Sequence, residues 1–296
     1  MHLSQGWKEF RFWNPLKKTI PTNLISCEFN IKPNMFHKNE FIWFLKYGLF
    51  LFSICYFCIC IVTVFYLVFT SSHGPQPCFA LYVYTQITAN WIMVYKTCNM
   101  DFGDELPSDS AYCTKCNIFK QKQSHHCPLC DCCILRQDHH CFFLGTCIGL
   151  NNQLYFLVLV FWGAIGYLYL CVEIFINSEI TYDHWYNYFE LFFPVGFVAA
   201  FIRGNSISSV YLLLIFNVSL TIGVFSFLMF ILQIYLISLN ITWYEFTNKS
   251  DWSHRQFAWK NIVSGFGRYG LLAFIVPLPK NYLAPSSCPR TLVNNR

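Results

Sequence analysis

Charge is scarce in this sequence. Of 296 residues only 12% are Asp, Glu, Lys or Arg, about half of what a water-soluble domain carries. That shortage excludes an ordinary soluble globule, and a composition 55% hydrophobic and 20% aromatic excludes a disordered chain. Residues 1–40 lack a compact apolar run before a small-residue cleavage site, so no cleavable signal is expected. No internal repeat or low-complexity tract is visible. A formal net charge of +5 gives little support to a nucleic-acid partner. What these absences leave is an integral membrane protein whose first partner is membrane lipid.

Hydropathy predicts an all-α polytopic membrane protein with four transmembrane helices, over about Tyr47–Thr70, Cys78–Tyr95, Leu154–Ile176 and Val210–Leu239. The second is the weakest, and its Thr85, Gln86, Thr88 and Asn90 point to a helix packed inside a bundle, because polar groups facing lipid are costly. Residues 186–202 are apolar but short and contain Glu190, Pro194 and Gly196. Basic residues decide how to read them. Of 20 Lys and Arg, six precede the first span, five lie between spans two and three, and seven follow span four, with Lys46 at the start of span one. Arg203 alone lies between 177 and 209. Four spans put all three basic segments on one side, which the positive-inside rule makes cytoplasmic. Residues 186–202 then form a re-entrant or interfacial segment. The expected organisation is a cytoplasmic N-terminal segment 1–46, helices one and two over 47–95, a cytoplasmic loop 96–153, helices three and four over 154–239 with a lumenal or interfacial piece 177–209, and a cytoplasmic C-terminal segment 240–296. The sequons at Asn240 and Asn248 would then face the cytoplasm and stay unglycosylated.

Cysteine is the second feature. Eight of 16 Cys, with four of nine His, fall between Cys113 and Cys147. Interleaved His at fixed offsets favours metal ligation by reduced thiols over a disulfide framework. Cys55, Cys58 and Cys60 lie in an apolar run and read as small hydrophobes. The loop reads Cys113-x2-Cys116, then His126-Cys127-x2-Cys130-x2-Cys133, then Asp138-His139-His140-Cys141, then Cys147. Each close Cys pair can form two corners of a tetrahedral zinc site. With Cys132 and one candidate nucleophile set aside, six Cys and two His make two Cys3His sites. A loop in which every Cys and His is a ligand fits the spacing equally well. Against it stands the position of Cys141, close before the third span, where a thiol that handles lipid belongs.

The run from His126-Cys127 through Asp138-His139-His140-Cys141 to Cys147-Ile148-Gly149-Leu150-Asn151-Asn152-Gln153 resembles the cysteine-rich domain of the DHHC protein S-acyltransferases, the palmitoyltransferases, over about residues 113–156. The resemblance implies one zinc at Cys113, Cys116, His126 and Cys133, and a second at Cys127, Cys130, His140 and Cys147, both structural. It implies Cys141 as nucleophile, His139 as its base and Asp138 as the group that orients the imidazole. Fatty acyl-CoA, such as palmitoyl-CoA, would donate the acyl group, Lys120 and Lys122 would meet the CoA phosphates, and cysteines of membrane-associated proteins would receive it. Endoplasmic reticulum or Golgi membrane is the implied location. The chain departs from the family pattern at Gln121, Gln123, Phe143, Gly145 and Thr146, and its Thr242-Trp243-Tyr244-Glu245 keeps one Thr of the family's Thr-Thr-x-Glu element. Asn261 through Phe266-Gly267 is similar to the family's C-terminal packing element. The alternative from another class is a non-catalytic zinc-bearing membrane scaffold of the same fold.

Overall fold

The three longest apolar runs each become one continuous helix. In a computed structural model, which describes residues 40–70, 77–97, 111–120, 123–177, 189–248, 255–266 and 270–277, these are α1 (Glu40–Thr70), α3 (Gln153–Ile176) and α5 (Ile207–Leu239). Even the shortest has 24 residues, about 36 Å at 1.5 Å per residue, enough for a hydrocarbon layer of about 30 Å. Among the described residues these three helices are long and apolar enough to cross a membrane. They fit a multi-pass membrane protein.

The expected second span is a helix, α2 (Pro77–Lys96), but is not one of the three. Its polar residues explain this, because they are answered inside the protein. Asn90 donates to the Gln86 carbonyl at 2.9 Å, and Gln86 donates to the Ile275 carbonyl at 2.6 Å. Helix α3 is the centre of the bundle: its most apolar stretch is 61% buried, against 39% for α1 and 17% for α5. Gly166 of α3 allows close approach to α2, since a Cβ there would stand 2.8 Å from Ile87 Cδ1.

Within 186–202, the described part carries α4 (Val195–Arg203), nine residues and too short to cross a bilayer. Gly204, with φ of 65°, ends α4 in the left-handed conformation glycine tolerates and turns the chain toward α5. Phe201 and Ile202 on α4 are exposed.

The all-α expectation holds for the bundle and fails for the loop. Three antiparallel hairpins take its place, β1 (Ala111–Cys113) with β2 (Ile118–Lys120), β3 (His125–Cys127) with β4 (Cys132–Ile134), and β5 (His139–Cys141) with β6 (Thr146–Ile148). Strands of three residues are too short to show an alternating pattern in sequence. Side-chain hydrogen bonds seat these hairpins on the helices. Lys46 Nζ of α1 donates to Leu129 O at 2.6 Å, and Ser53 Oγ to Phe143 O at 2.6 Å. Arg136 donates to Asn240 Oδ1 at 2.6 Å. Buried Asn152 donates to Cys147 O and Val94 O and accepts from Gly149 N, so one side chain joins β6, α2 and the start of α3.

Beyond α5 come α6 (Trp243–Thr247), α7 (Trp259–Phe266) and a 3-10 turn at Leu272–Phe274. Thr242 and Glu245 close a reciprocal capping box at the start of α6. Asn261 of α7 donates to Ser238 O at 2.8 Å, while Ile262 and Phe266 pack with Leu157 and Ile237. The following carbonyls are held by the bundle itself: Trp162 donates to Phe274 O, and Tyr82 and Gln86 both donate to Ile275 O.

Candidate functional site

Two clusters in the hairpins could each hold a metal ion: Cys113, Cys116, His126 and Cys133, and Cys127, Cys130, His140 and Cys147. Within each, the sulfur and ring-nitrogen atoms all lie within 4.8 Å of one another. Two sulfurs about 2.3 Å from a tetrahedral zinc stand about 3.8 Å apart. Cys116–Cys133 and Cys130–Cys147 are each 3.7 Å apart. The histidines approach through Nδ1, His126 at 3.1 Å from Cys116 and His140 at 3.3 Å from Cys130. Burial and nearby Lys115 hold His126 below its ordinary pKa, which favours the neutral ring a metal requires. Hydrogen bonds from Cys127, Cys132 and Cys147 hold Cys130 well below a free thiol. Donor set and spacing fit zinc. Neither cluster includes Cys132 or His125; His125 stacks on Tyr244 with ring centroids 3.9 Å apart.

Strand β5 carries the rest of the site. Side chains alternate along a strand. His140 turns to the second cluster, and His139 and Cys141, two residues apart, share the other face. Pairing with β6 sets this register, with His140 opposite Cys147 and Cys141 opposite Thr146. The β5–β6 turn passes through Gly145 at φ of 66°.

His139 Nδ1 donates to Asp138 Oδ2 at 2.7 Å, and its Nε2 is buried without a hydrogen bond. Asp138 is 1% exposed, yet its carboxylate has further donors: Gln233 Nε2 reaches Oδ2 at 2.8 Å and Trp243 N reaches Oδ1 at 2.7 Å. Burial pushes the Asp138 carboxyl up, but the His139 hydrogen bond and charge, with Trp243 and Gln233, outweigh it and hold it below its ordinary value. Burial disfavours the His139 cation; the hydrogen bond to Asp138 and the charges of Asp138 and Cys141 prevail and raise it to about 9. The Phe156 ring packs edge-on to His139 at 5.2 Å.

Cys141 and His139 open into a cavity of about 490 Å3 between the helices, walled almost wholly by apolar side chains, among them Phe52, Tyr56, Phe225 and Met229. Gly163 of α3 lines it. Tyr56, in the cavity wall, donates to Ile215 O and bonds Ser219 Oγ at 2.7 Å, so its hydroxyl is satisfied among apolar groups. The cavity ≈ 390 Å3 in volume beside α4, with Glu190 and Arg203 in its wall, shares no lining residue with it.

A family model described as DHHC palmitoyltransferase matches residues 107–250. Those residues are a DHHC palmitoyltransferase domain. No curated protein matches the chain. The DHHC domain thus takes in both metal-capable clusters, α3, α5 and α6, whereas α1 and α2, which help to wall the cavity, lie before it.

The residues singled out from sequence converge in two groups. Eight Cys and His form the clusters, and Asp138, His139 and Cys141 meet beside the cavity. Lys120 donates to the Ser124 carbonyl of its own loop, and Lys122 lies outside the described residues. Sequence reasoning passed over Gln233 and the Trp243 backbone. A lone Gln inside a long apolar helix was the available signal, since a polar residue there needs a partner.

Proposed function

We propose that this protein is a protein S-acyltransferase that moves a fatty acyl group, palmitoyl in the first instance, from acyl-CoA to Cys141 and then to cysteine thiols of membrane-associated proteins. The carrying observation is the placement of Cys141, beside an imidazole bonded to a buried carboxylate and at the wall of an apolar cavity among membrane-crossing helices. His139 Nε2 takes the proton of the Cys141 thiol, and the thiolate attacks the thioester carbonyl of acyl-CoA. The carbon–sulfur bond to CoA breaks, and the departing CoA sulfur takes the proton from His139. His139 then removes the proton of a substrate thiol, which attacks the acylated Cys141; the new thioester forms and Cys141 regains its proton from His139. Asp138 holds the ring by Nδ1 with Nε2 turned to Cys141, and its charge stabilises the imidazolium that forms when His139 takes the proton. The exchange is thioester for thioester and balances without another reactant. The acyl chain lies in the cavity, where each buried methylene gains about 0.8 kcal/mol.

Zinc at the two Cys3His clusters, bound by Cys113, Cys116, His126 and Cys133 and by Cys127, Cys130, His140 and Cys147, supplies folding free energy to the hairpins. Four spans, with α2 as the least apolar, place the termini and hairpins on the cytoplasmic side, where Lys120 and Lys122 meet CoA phosphates. Endoplasmic reticulum or Golgi membrane is the proposed location. The test is incubation of purified protein with labelled palmitoyl-CoA. Hydroxylamine-labile label that disappears in Cys141→Ser supports the reading; an unlabelled wild type sinks it. A metal-bearing scaffold gives no reason for an apolar cavity opening on one cysteine.

A further inference from the structure

Two of the three donors to Asp138 come from beyond the hairpins. Gln233 sits on α5, six residues before its end, and is 1% exposed. A carboxylate only accepts hydrogen bonds, so the Gln233 nitrogen must face Asp138 and its oxygen must face away. That oxygen has a donor of its own in Gln153 Nε2, at 3.3 Å, on the first residue of α3. Gln153, Gln233, Asp138 and His139 thus form one chain of hydrogen bonds that ends at the ring beside Cys141.

We infer that Gln233 is a positioning residue for acyl transfer: it holds the Asp138 carboxylate in the plane that orients His139, and Gln153 sets which way its amide faces. The inference rests on the reading of Cys141 as nucleophile and His139 as base. With Trp243 N alone, only Oδ1 is held from outside the hairpins, and the carboxylate can swing Oδ2 about that bond. Gln233 pins Oδ2, the same oxygen that receives His139 Nδ1. The added donors belong to α5 and to the first residue of α6, so the helix that walls the cavity also sets the geometry of the base.

The experiment uses the full chain in detergent with palmitoyl-CoA, and follows the initial rate of Cys141 labelling against acyl-CoA concentration, with zinc content measured alongside. Gln233→Met keeps the length of the side chain and removes the donor. It should retain zinc and the half-saturating acyl-CoA concentration, while the maximal rate falls about 10- to 100-fold, the loss expected of one hydrogen bond to a buried charged group. In an Asp138→Asn background the same change should cost less than about 2-fold, because a residue acting only through Asp138 has nothing left to act on. A merely structural Gln233 would instead lower both backgrounds by the same factor. Gln233→Asn, one methylene too short to reach, keeps the amide and should show the same fall if Gln233→Met does not fold. A wild-type rate in either folded variant, or equal losses with and without Asp138, overturns the inference. Failure of the wild type to label, or labelling of Cys141→Ser at the wild-type rate, is a failure of the nucleophile reading and is seen before any Gln233 variant is compared.

Discussion

Replacing Gly163 by Leu should change which acyl chains the protein accepts. Gly163 and Gly166 stand one turn apart on α3, yet only Gly163 lines the cavity beside Cys141. A Cβ built on Gly163 meets nothing closer than Ser226 Oγ at 3.6 Å, ordinary van der Waals contact. A Leu side chain there puts four carbons into space proposed for the acyl chain. A long chain loses about four buried methylenes, at about 0.8 kcal/mol each, or about 3 kcal/mol, which is on the order of 200-fold in affinity. A chain that ends before Gly163 loses nothing. The assay is competition between labelled acyl-CoAs of graded length for Cys141, with Gly163→Ala as an intermediate step. Gly166→Ala is the contrasting control: its Cβ would press on Ile87 and Val83, at 2.8 and 3.1 Å, and so lower stability without changing selectivity. An equal fall for every chain length in Gly163→Leu, or no change at all, would refute the placement of the acyl chain.

The two adjacent histidines should part company: His139→Ala keeps two zinc ions and slows self-acylation by about 100-fold or more, whereas His140→Ala loses one zinc and destabilises the hairpins. Metal analysis beside acyl labelling checks this, and equal zinc loss in both variants counts against it. The His139 pKa, raised from 6.5 to about 9, makes its share of stability complete below pH 6.5 and lost as pH climbs through 9. Asp138, held below 3.8, contributes above that value and loses its share on acidification. The melting-temperature gap between wild type and Asp138→Asn should therefore narrow from pH 6.5 to 9, out of about 3 kcal/mol at most; a gap that stays constant over that range refutes the assignment. Lys46→Met should loosen the hairpins from α1 by removing the bond to Leu129, at a cost of about 1.5–3 kcal/mol, read as easier zinc loss to a chelator. Glycosylation mapping should find Asn240 and Asn248 unmodified in cells, and a glycan on either overturns the four-span topology.

The close Cys pairs made metal binding legible, because two sulfurs a few residues apart can converge on one ion; which His and third Cys complete each site was implied by the resemblance, since these lie 10 and 17 positions from the second Cys of the pair. The three long apolar helices were legible for a similar reason, since one continuous property fixes each. The hairpins were not. Their register follows from the ligand clusters and from positive-φ turns at Asn117, Asp131 and Gly145. Nor did α2 declare itself by hydropathy, because Gln86, Thr88 and Asn90 lower it while their donors are answered inside the protein, by Ile275 O for Gln86 and by carbonyls of α2 itself for Thr88 and Asn90. Asp138 was placed by resemblance, but Gln233, which holds it, lies 95 positions away. Only the approach of α5 to β5 reveals that pair. Gly163 and Gly166 read alike in sequence, and the side of α3 each occupies separates them.

The carbonyl of Ile275 accepts from Gln86, 189 positions earlier in the chain. During synthesis on a ribosome, α2 therefore emerges with Gln86 and Tyr82 aimed at an acceptor that does not yet exist. Until residue 275 arrives, these donors must find water or a temporary partner, and the bundle is provisional. The final step of assembly belongs to the last described stretch of the chain. A truncation before residue 270, though far from Cys141 in sequence, should be recognised in the cell as an unfinished membrane protein.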